Sequence, residues 1–293
     1  MTVLVALTPG ERGSAALHLG TLLARSAGDP VVVAAVVPTP WPPSPFPGEA
    51  EYLAHAERAA EQALARARSQ LGADLRAELV VQHGRSVAAG LLEVTVAHRA
   101  DLVVLGSSSD GLLGRVGLGA VAHRLLHSTE VPVVLAPRGF TADGVRVQRV
   151  TAAFGPRDGE SDLVLRALQV ADRFGASLRV ASFAVRPLGA LAGGVEASAE
   201  DLVVARWSAQ VASLVRASLG EQAGSVATQV ETVVGSGNTW AEAVGDVAWS
   251  AGDLLVVGAS SSAISSILLG SHASKVVRSS PVPVYLAPRA LAG

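Results

Sequence analysis

The sequence predicts an α/β protein built from two tandem copies of one domain, each a five-stranded parallel sheet doubly wound by helices. Its apolar segments are short and rich in β-branched residues, and the longest, VVVAAVV at 31–37, stops at Pro38. Such runs are typical of strands buried on both faces of a parallel sheet. Helical segments alternate with these strands, and the whole pattern occurs twice. Alternation of this kind implies right-handed crossovers and helices on both faces of the sheet.

An internal repeat divides the chain. ADLVVLGSSS at 100–109 returns as GDLLVVGASS at 252–261, and VPVVLAPR at 131–138 returns as VPVYLAPR at 282–289. The first pair is displaced by 152 residues and the second by 151, so the second copy has lost one residue from the loop between the two landmarks. The predicted organisation is a first domain at 1–138, a linker at 139–146 and a second domain at 147–293.

Each element of the first copy has its own signal. Apolar residues at 16, 17, 19, 22 and 23 recur with the helical period, and Gly72 closes a long helix rich in alanine, glutamate and arginine. WPPSPFPG at 41–48 contains too much proline for regular structure. The predicted strands are 2–7, 31–37, 75–82, 102–106 and 131–137, and the predicted helices are 13–27, 49–71, 86–99 and 118–128.

The second copy repeats this order. Its predicted strands are 147–153, 177–185, 226–234, 254–258 and 282–287, and its predicted helices are 160–174, 198–220, 238–251 and 270–279. In sheets of this type, ligands bind at the carboxyl ends of the strands, where the strand order reverses. The loops after the first and fourth strands of each copy are therefore expected to lie side by side and to form the candidate binding site.

The loop after the fourth strand of the first copy has the composition of an anion site. It reads GSSSDGLLGRVGLGAV from Gly106 and leads from a buried strand into a helix. Glycines let the backbone approach an anion, and a helix N-terminus presents free N–H groups to it. Serine hydroxyls and Arg115 could add donors to a phosphate. On the loop alone, a plain flexible strand-to-helix connection is the favoured explanation.

Taken together, ADLVVLGSSSDGLLGRVGLG, the helix AVAHRLLHS and the closing strand VPVVLAPR resemble the universal stress protein family. The signature of that family is Gly-x-x-Gly, nine residues, then Gly-Ser or Gly-Thr, and the resemblance covers both copies nearly end to end. It implies adenine-nucleotide-hydrolase-like (Rossmann-like) domains with a pocket for ATP or another adenine nucleotide. Gly106 and Gly119 match the first and later glycines, whose loops hold ribose and phosphates in the family. In the family, an aspartate of strand one and the end of strand two hold adenine. The matching residues of the first copy are Thr8 and Val37.

Several positions depart from the family pattern. The second glycine of the signature is Ser109, and the hydroxyl residue after the later glycine is Ala120. The strand-one aspartate is replaced by Thr8 in the first copy and by Phe154 or Gly155 in the second. Losing a hydrogen bond to a charged acceptor costs about 1.5–3 kcal/mol, or tenfold or more in affinity. The pocket is therefore expected to lack part of its adenine recognition in both copies.

The second copy departs differently. Its corresponding residues are Gly258, Ser261, Gly270 and Ser271, so the hydroxyl is kept while the loop is one residue shorter. No lysine or arginine lies between 258 and 271, whereas the first copy keeps both the loop length and Arg115. The sequence therefore predicts nucleotide binding mainly in the first copy.

Composition excludes several classes of function. A net charge of −2 and a pI of about 6.4 give no basic field for nucleic acid. With no cysteine there is no disulfide, thiolate metal site or cysteine nucleophile, and Lys275 is the only lysine, so no Walker-type loop is present. Mean hydropathy is +0.41, yet no run of eighteen uncharged apolar residues predicts membrane insertion. The first residues carry no export signal, so we expect a cytoplasmic protein.

The remaining motifs have ordinary structural explanations. His123 and His127 are four residues apart, but no third ligand is at matching spacing, so surface or capping roles and no metal are expected. Ser86 and Asn238 are predicted helix N-caps. No G-x-S-x-G elbow, general base or metal carboxylates are apparent, so no catalytic residue and no enzyme activity are predicted. A slow nucleotide hydrolase is the third and least favoured alternative.

The sequence favours a non-enzymatic stress-response or signalling module with adenine-nucleotide (ATP) binding. The alternative is a nucleotide-independent interaction module that docks a transporter or regulator. The apolar closing strands VPVVLAPR and VPVYLAPR are of the kind that the family pairs across a dimer. We therefore expect the two copies to pair through these strands as an intramolecular pseudo-dimer, and a homodimer or another protein partner is also compatible with them.

Overall fold

The computed structural model describes two compact units, residues 1–146 and 147–293, which are treated separately below. The residues it describes exclude those in the following ranges: 11–12, 40–47, 109–111, 143, 156–160, 186–205, 208, 211–212, 214–216, 218–229, 259–268 and 289–293.

Unit 1 is a five-stranded parallel sheet with the strand order β3-β2-β1-β4-β5. Its elements are β1 (Val3–Ala6), α1 (Ser14–Ala27), β2 (Val31–Pro38), α2 (Glu49–Gln70), β3 (Ala77–Gly84), α3 (Val87–Ala97), β4 (Leu102–Gly106), α4 (Ala120–Ser128) and β5 (Val133–Ala136). The valine- and leucine-rich central strands are buried, and α1 buries an apolar stripe against them. The strand order reverses between β1 and β4, which makes their carboxyl ends the ligand-binding edge of this fold type.

Unit 2 repeats the topology with the order β8-β7-β6-β9-β10, again with parallel pairs throughout. Its described elements are β6 (Arg149–Ala153), α5 (Ser161–Phe174), β7 (Ser177–Val185), β8 (Glu231–Gly237), α6 (Trp240–Gly245), β9 (Asp253–Gly258), α7 (Ser271–Ser279) and β10 (Val284–Ala287). Most of the helix predicted at 198–220 lies outside the described residues, although Arg206 and Trp207 within it are helical. The predicted alternating α/β fold is confirmed.

The predicted helix at 238–251 is wrong at its end, because α6 stops at Gly245. The carbonyl of Ala248 accepts hydrogen bonds from Arg149 Nη2 at 3.0 Å and from Arg179 Nη1 at 2.8 Å. The helix already stops at Gly245, where the carbonyl of Val244 accepts from Trp249 Nε1 at 2.7 Å. In a continuing helix that carbonyl would accept from the N–H of Ala248, four residues further on.

The predicted N-caps have different outcomes. Ser86 caps α3, with its hydroxyl accepting a bond from Ala89 N at 3.2 Å, as predicted. Asn238 is not the cap of α6. Thr239 accepts from Glu242 N at 3.2 Å instead, while the carboxylate of Glu242 accepts from Asn238 N at 2.9 Å. This Thr-x-x-Glu arrangement satisfies two backbone donors with one pair of side chains, which a single asparagine cap could not do.

A charged cluster lies at the amino ends of the strands in unit 2. The carboxylate of Asp253 accepts from Arg149 Nε at 3.0 Å and Nη2 at 2.8 Å, and from Ser250 N at 2.9 Å. Arg179 Nη2 lies 3.4 Å from the same carboxylate, and its Nε donates to Thr151 Oγ1 at 3.0 Å. The side chains of Arg179 and Asp253 are each only 1% exposed. Burial, reinforced by the charge of Arg149, lowers the pKa of Arg179.

The buried phenol of Tyr285 should make the free energy of unfolding fall at alkaline pH. Burial raises the pKa of Tyr285, on β10, to about 12 from its usual 10.0. The folded state therefore holds this proton more tightly than the unfolded chain, so stability is intact below pH ~10 and falls as the pH rises to ~12. The fall should be about 2–3 kcal/mol in the free energy of unfolding. Urea unfolding between pH 8 and 12 should show it in the natural chain and in Tyr52→Phe, which removes an exposed phenol. A fall of the same size in Tyr285→Phe would contradict this origin.

Candidate functional site

The carboxyl ends of β1 and β4 are adjacent in unit 1, since the two strands pair in parallel from Val3 and Leu102 to Val5 and Val104. Leu7 extends the pairing of β1 by donating its N–H to Ala34 O at 2.8 Å. Thr8 follows directly and is exposed. The loop after β4 therefore begins beside the loop after β1, which is the arrangement that ligands use in this fold type.

The loop after β4 is held by one serine that the sequence reasoning did not single out. The hydroxyl of Ser107 donates to Ala136 O, at the end of β5, at 2.6 Å and accepts from Gly117 N at 2.9 Å. The carbonyl of Gly117 in turn accepts from Ser108 N at 3.1 Å. The only sequence signal for this contact was the position of Ser107, directly after the glycine that ends a buried strand.

The middle of the same loop pairs with the chain that follows β5. Gly114 N donates to Arg138 O at 2.9 Å, and Arg138 N donates to Arg115 O at 3.0 Å. Gly114 has a φ of +73°, a left-handed conformation that favours glycine. The backbone of Arg115 is thus fixed beside β5. Ser109 lies outside the described residues.

Helix α4 begins at this loop with its first N–H groups uncapped by any side chain. Gly119 is its N-cap residue, and a Cβ placed there would lie 3.2 Å from the Cβ of Ser108. Ala120, which replaces the family hydroxyl residue, is exposed in the first turn. The backbone donors and the positive end of the helix dipole can therefore receive an anion, with no bulk from residue 119.

The two residues expected at adenine occupy different environments. Thr8 is exposed, and its carbonyl lies so close to α1 that a Cβ on Gly13 would come within 2.4 Å of it. The side chain of Val37 is only 1% exposed, and Val37 pairs with His83 across β2 and β3. Its buried side chain leaves the backbone of Val37 as the part that a base could contact.

The register of unit 2 identifies its counterpart of Thr8. Phe154 N donates to Ala181 O at 2.8 Å, as Leu7 N donates to Ala34 O, so the buried Phe154 matches Leu7. Gly155 therefore stands at the position of Thr8 and offers no side-chain acceptor. Of the two candidates that the sequence left open, the strand register selects Gly155.

The corresponding helix of unit 2, α7, begins in the same way as α4. Gly270 is the N-cap of α7 without a side-chain cap, and Ser271, the first helical residue, is exposed. Gly258 ends β9 as Gly106 ends β4. Ser261 lies outside the described residues.

An aromatic and basic cluster that the sequence reasoning missed lies at the starts of α6 and α7. The ring of His272 lies 5.3 Å from that of Trp240, and Lys275 Nζ lies 5.9 Å from the Trp240 ring.

His123 and His127 both lie on α4, the first half-buried and the second exposed. Within the described ranges, no group of three or more histidines and carboxylates is placed to hold a metal ion. Within the same ranges, no helix combines the length and the apolar character needed to cross a bilayer.

The fold and this site define a tandem α/β protein with a glycine-led helix N-terminus at the ligand edge of each unit. A sequence model described as the universal stress protein family matches residues 1–137 and again 146–288. The chain belongs to the universal stress protein family, and the resemblance noted from its motifs is confirmed.

Relatives of known sequence and structure agree with this assignment. Universal stress proteins from Mycobacterium tuberculosis and Mycobacterium bovis are each 35% identical over 293 residues, covering 98% of this chain and 100% of theirs. A universal stress protein from Archaeoglobus fulgidus has the same fold, with a TM-score of 0.62, 18% identity and 98% of each chain covered. The chain thus contains two tandem domains of this family, as the internal repeat predicted.

Proposed function

We propose that this protein is a non-enzymatic stress-response and signalling module that binds an adenine nucleotide, ATP in the first instance, in unit 1. Membership of the universal stress protein family supports the stress-response role. The candidate contacts in unit 1 are Thr8, Val37, Gly106, Ser109, Arg115, Gly119 and Ala120, and those in unit 2 are Gly258, Ser261, Gly270 and Ser271.

The start of α4 is the observation that carries the proposal. No side chain caps its backbone donors, and Gly119 adds none there. The preceding loop is tied to the end of β5 by Ser107 and to the chain after β5 by Gly114. A backbone cradle of this kind suits a phosphate group and depends little on side-chain identity. Phosphate binding by these backbone donors can therefore be retained although Ser109 and Ala120 replace the residues of the family signature.

The adenine end of the pocket favours the alternative function, a nucleotide-independent module that docks a protein. A carboxylate is missing at the strand-one position in both units, where Thr8 and Gly155 stand. In addition, Leu112 and Leu113 of the loop are 76% and 78% exposed, which is unusual for two consecutive large apolar residues. A protein partner such as a transporter or regulator would cover them.

Titration calorimetry of the full chain with ATP, ADP and AMP separates the two functions. Dissociation constants below about 1 mM support the nucleotide function, since that level marks about 4 kcal/mol of binding free energy. Absence of heat with folded protein supports the docking function. Release of phosphate from ATP over hours would contradict the non-enzymatic part of the proposal.

Restoring the carboxylate should strengthen binding in unit 1. We expect Thr8→Asp to raise the affinity for ATP by about tenfold or more, because a charged acceptor adds about 1.5–3 kcal/mol to a hydrogen bond with the ligand. Calorimetry measures the change, and adenosine tests whether it belongs to the base and sugar rather than the phosphates. Gly155→Asp places the same charge in unit 2 and should change affinity little. Equal gains from both variants would contradict a site confined to unit 1.

The pairing of the two closing strands within one chain, the absence of a bound metal and the cytoplasmic location stay predictions from the sequence. Light scattering of the full chain would show whether two chains associate further.

A further inference from the structure

We propose that Ser107 is a positioning residue for the site in unit 1, whose hydroxyl holds the loop after β4 in the form that receives phosphates. This inference rests on the proposed nucleotide function, and it assigns to one side chain part of the difference between the two units. Ser107 does not need to contact the ligand itself.

The hydroxyl joins three segments of the chain. It belongs to the residue after β4, donates to Ala136 O at the end of β5, and accepts from Gly117 N in the loop. Gly117 is buried and Ser107 is half-buried, so removing the hydroxyl would leave a backbone donor poorly satisfied. The loop would then have to shift to find water for that donor.

Movement of Gly117 would displace the N-terminus of α4, where the phosphates are proposed to bind. Gly117 stands two residues before Gly119, the N-cap of α4, and its carbonyl also accepts from Ser108 N. Ser108 is the residue whose Cβ faces Gly119. The bond from Ser107 thus fixes both sides of the space in front of the α4 N-terminus.

Unit 2 lacks this hydroxyl. Gly106 pairs with Ala136 in unit 1, and Gly258 pairs with Ala287 in unit 2, so the residues that follow the two glycines correspond. They are Ser107 and Ala259, and the loop that begins with Ala259 is also one residue shorter. At the position of Ser107, the second copy therefore has an alanine, which carries no hydroxyl.

A loop that spends less time in the receptive form binds more weakly in proportion to the lost population. We expect Ser107→Ala to weaken ATP binding by about tenfold, in line with the loss of a satisfied buried hydrogen bond. The same variant should speed hydrogen exchange at the amide of Gly117 by about the same factor, because that amide donates to the missing oxygen.

The experiment uses the full chain and two controls. Ser26→Ala removes a hydroxyl that donates to Leu22 O at 2.8 Å on α1, so it repeats the chemical change away from the loop. Ser107→Thr keeps the hydroxyl and should preserve both affinity and exchange. Calorimetry with ATP and amide exchange over residues 112–119 are measured for all four proteins.

Weaker binding and faster loop exchange in Ser107→Ala alone support the proposal. Unchanged affinity, or exchange at Gly117 no faster than in Ser26→Ala, overturns it. If the natural chain binds no ATP, the proposed function fails by itself, and the exchange measurement still decides whether Ser107 fixes the loop. A uniform rise in exchange over the whole of unit 1 would indicate general destabilisation and also overturns the positioning role.

Discussion

Replacing Asp253 by asparagine should lower the free energy of unfolding of unit 2 by about 3–5 kcal/mol, the cost of breaking a buried ion pair at one partner. Asparagine keeps the shape but removes the charge that faces Arg149 and Arg179. The Arg179 guanidinium, 1% exposed and lying 4.9 Å from the centroid of the Trp249 ring, would then be a buried cation that has lost its ion-pair partner. Urea unfolding followed by circular dichroism measures the loss.

The exposed pair in unit 1 supplies the matched control for Asp253. Asp74 accepts from Arg25 Nε at 2.8 Å, but its side chain is 59% exposed, so Asp74→Asn should leave stability nearly unchanged. Adding Arg179→Met to Asp253→Asn should recover part of the loss, because the second change removes the uncompensated charge. Equal losses from Asp253→Asn and Asp74→Asn would contradict the role of the buried cluster.

Replacing Gly119 by valine should reduce ATP binding by about a hundredfold or more, through the loss of several backbone bonds to a charged ligand. Its Cβ would already press on Ser108 at 3.2 Å, and the two methyl groups would occupy the space before the first N–H groups of α4. The φ of Gly119 is −88°, which valine adopts without strain, so the fold should survive. Calorimetry reports the affinity and circular dichroism the fold.

Gly270→Val makes the same change at the start of α7 in unit 2 and should leave ATP binding intact. If binding is lost in Gly270→Val and kept in Gly119→Val, the nucleotide site belongs to unit 2. If both variants bind as the natural chain does, the ligand uses neither helix N-terminus.

The order of strands and helices could be predicted because it depends on local pattern. Valine-rich runs such as 31–37 and 102–106 are buried on both faces and identify strands without knowledge of their neighbours. The end of α6 at Gly245 could not be predicted, since local pattern does not show that the indole of Trp249 takes the carbonyl of Val244. The bonds from Arg149 and Arg179 to the next segment, at Ala248 O, come from two other strands and were equally out of reach. The same holds for Asp253, whose partners are 104 and 74 residues away along the chain.

The candidate site divides in the same way. Gly119 and Gly270 could be singled out from the sequence by their match to the later glycine of the family signature, and each is the N-cap of its helix. The bond from Ser107 to Ala136 spans 29 residues and depends on the pairing of β4 with β5, so composition gave no hint of it. Asn238 shows the limit of the local signal, because the next residue, Thr239, competes for the cap and has a glutamate at the matching distance.

Asp101 and Asp253 stand at the same position of the duplicated domain. In unit 1 Asp101 lies beside Thr2, and in unit 2 Asp253 pairs with Arg149, which is the counterpart of Thr2. In the first half the carboxylate receives the backbone N–H of Thr2 at 2.6 Å, whereas in the second it neutralises two guanidinium groups. Aligning the halves would score this site as unchanged since the duplication, although its chemical partners have been exchanged. Tolerance to substitution measured in one half therefore does not transfer to the other, and a mutational map of this protein has to be determined separately for each half.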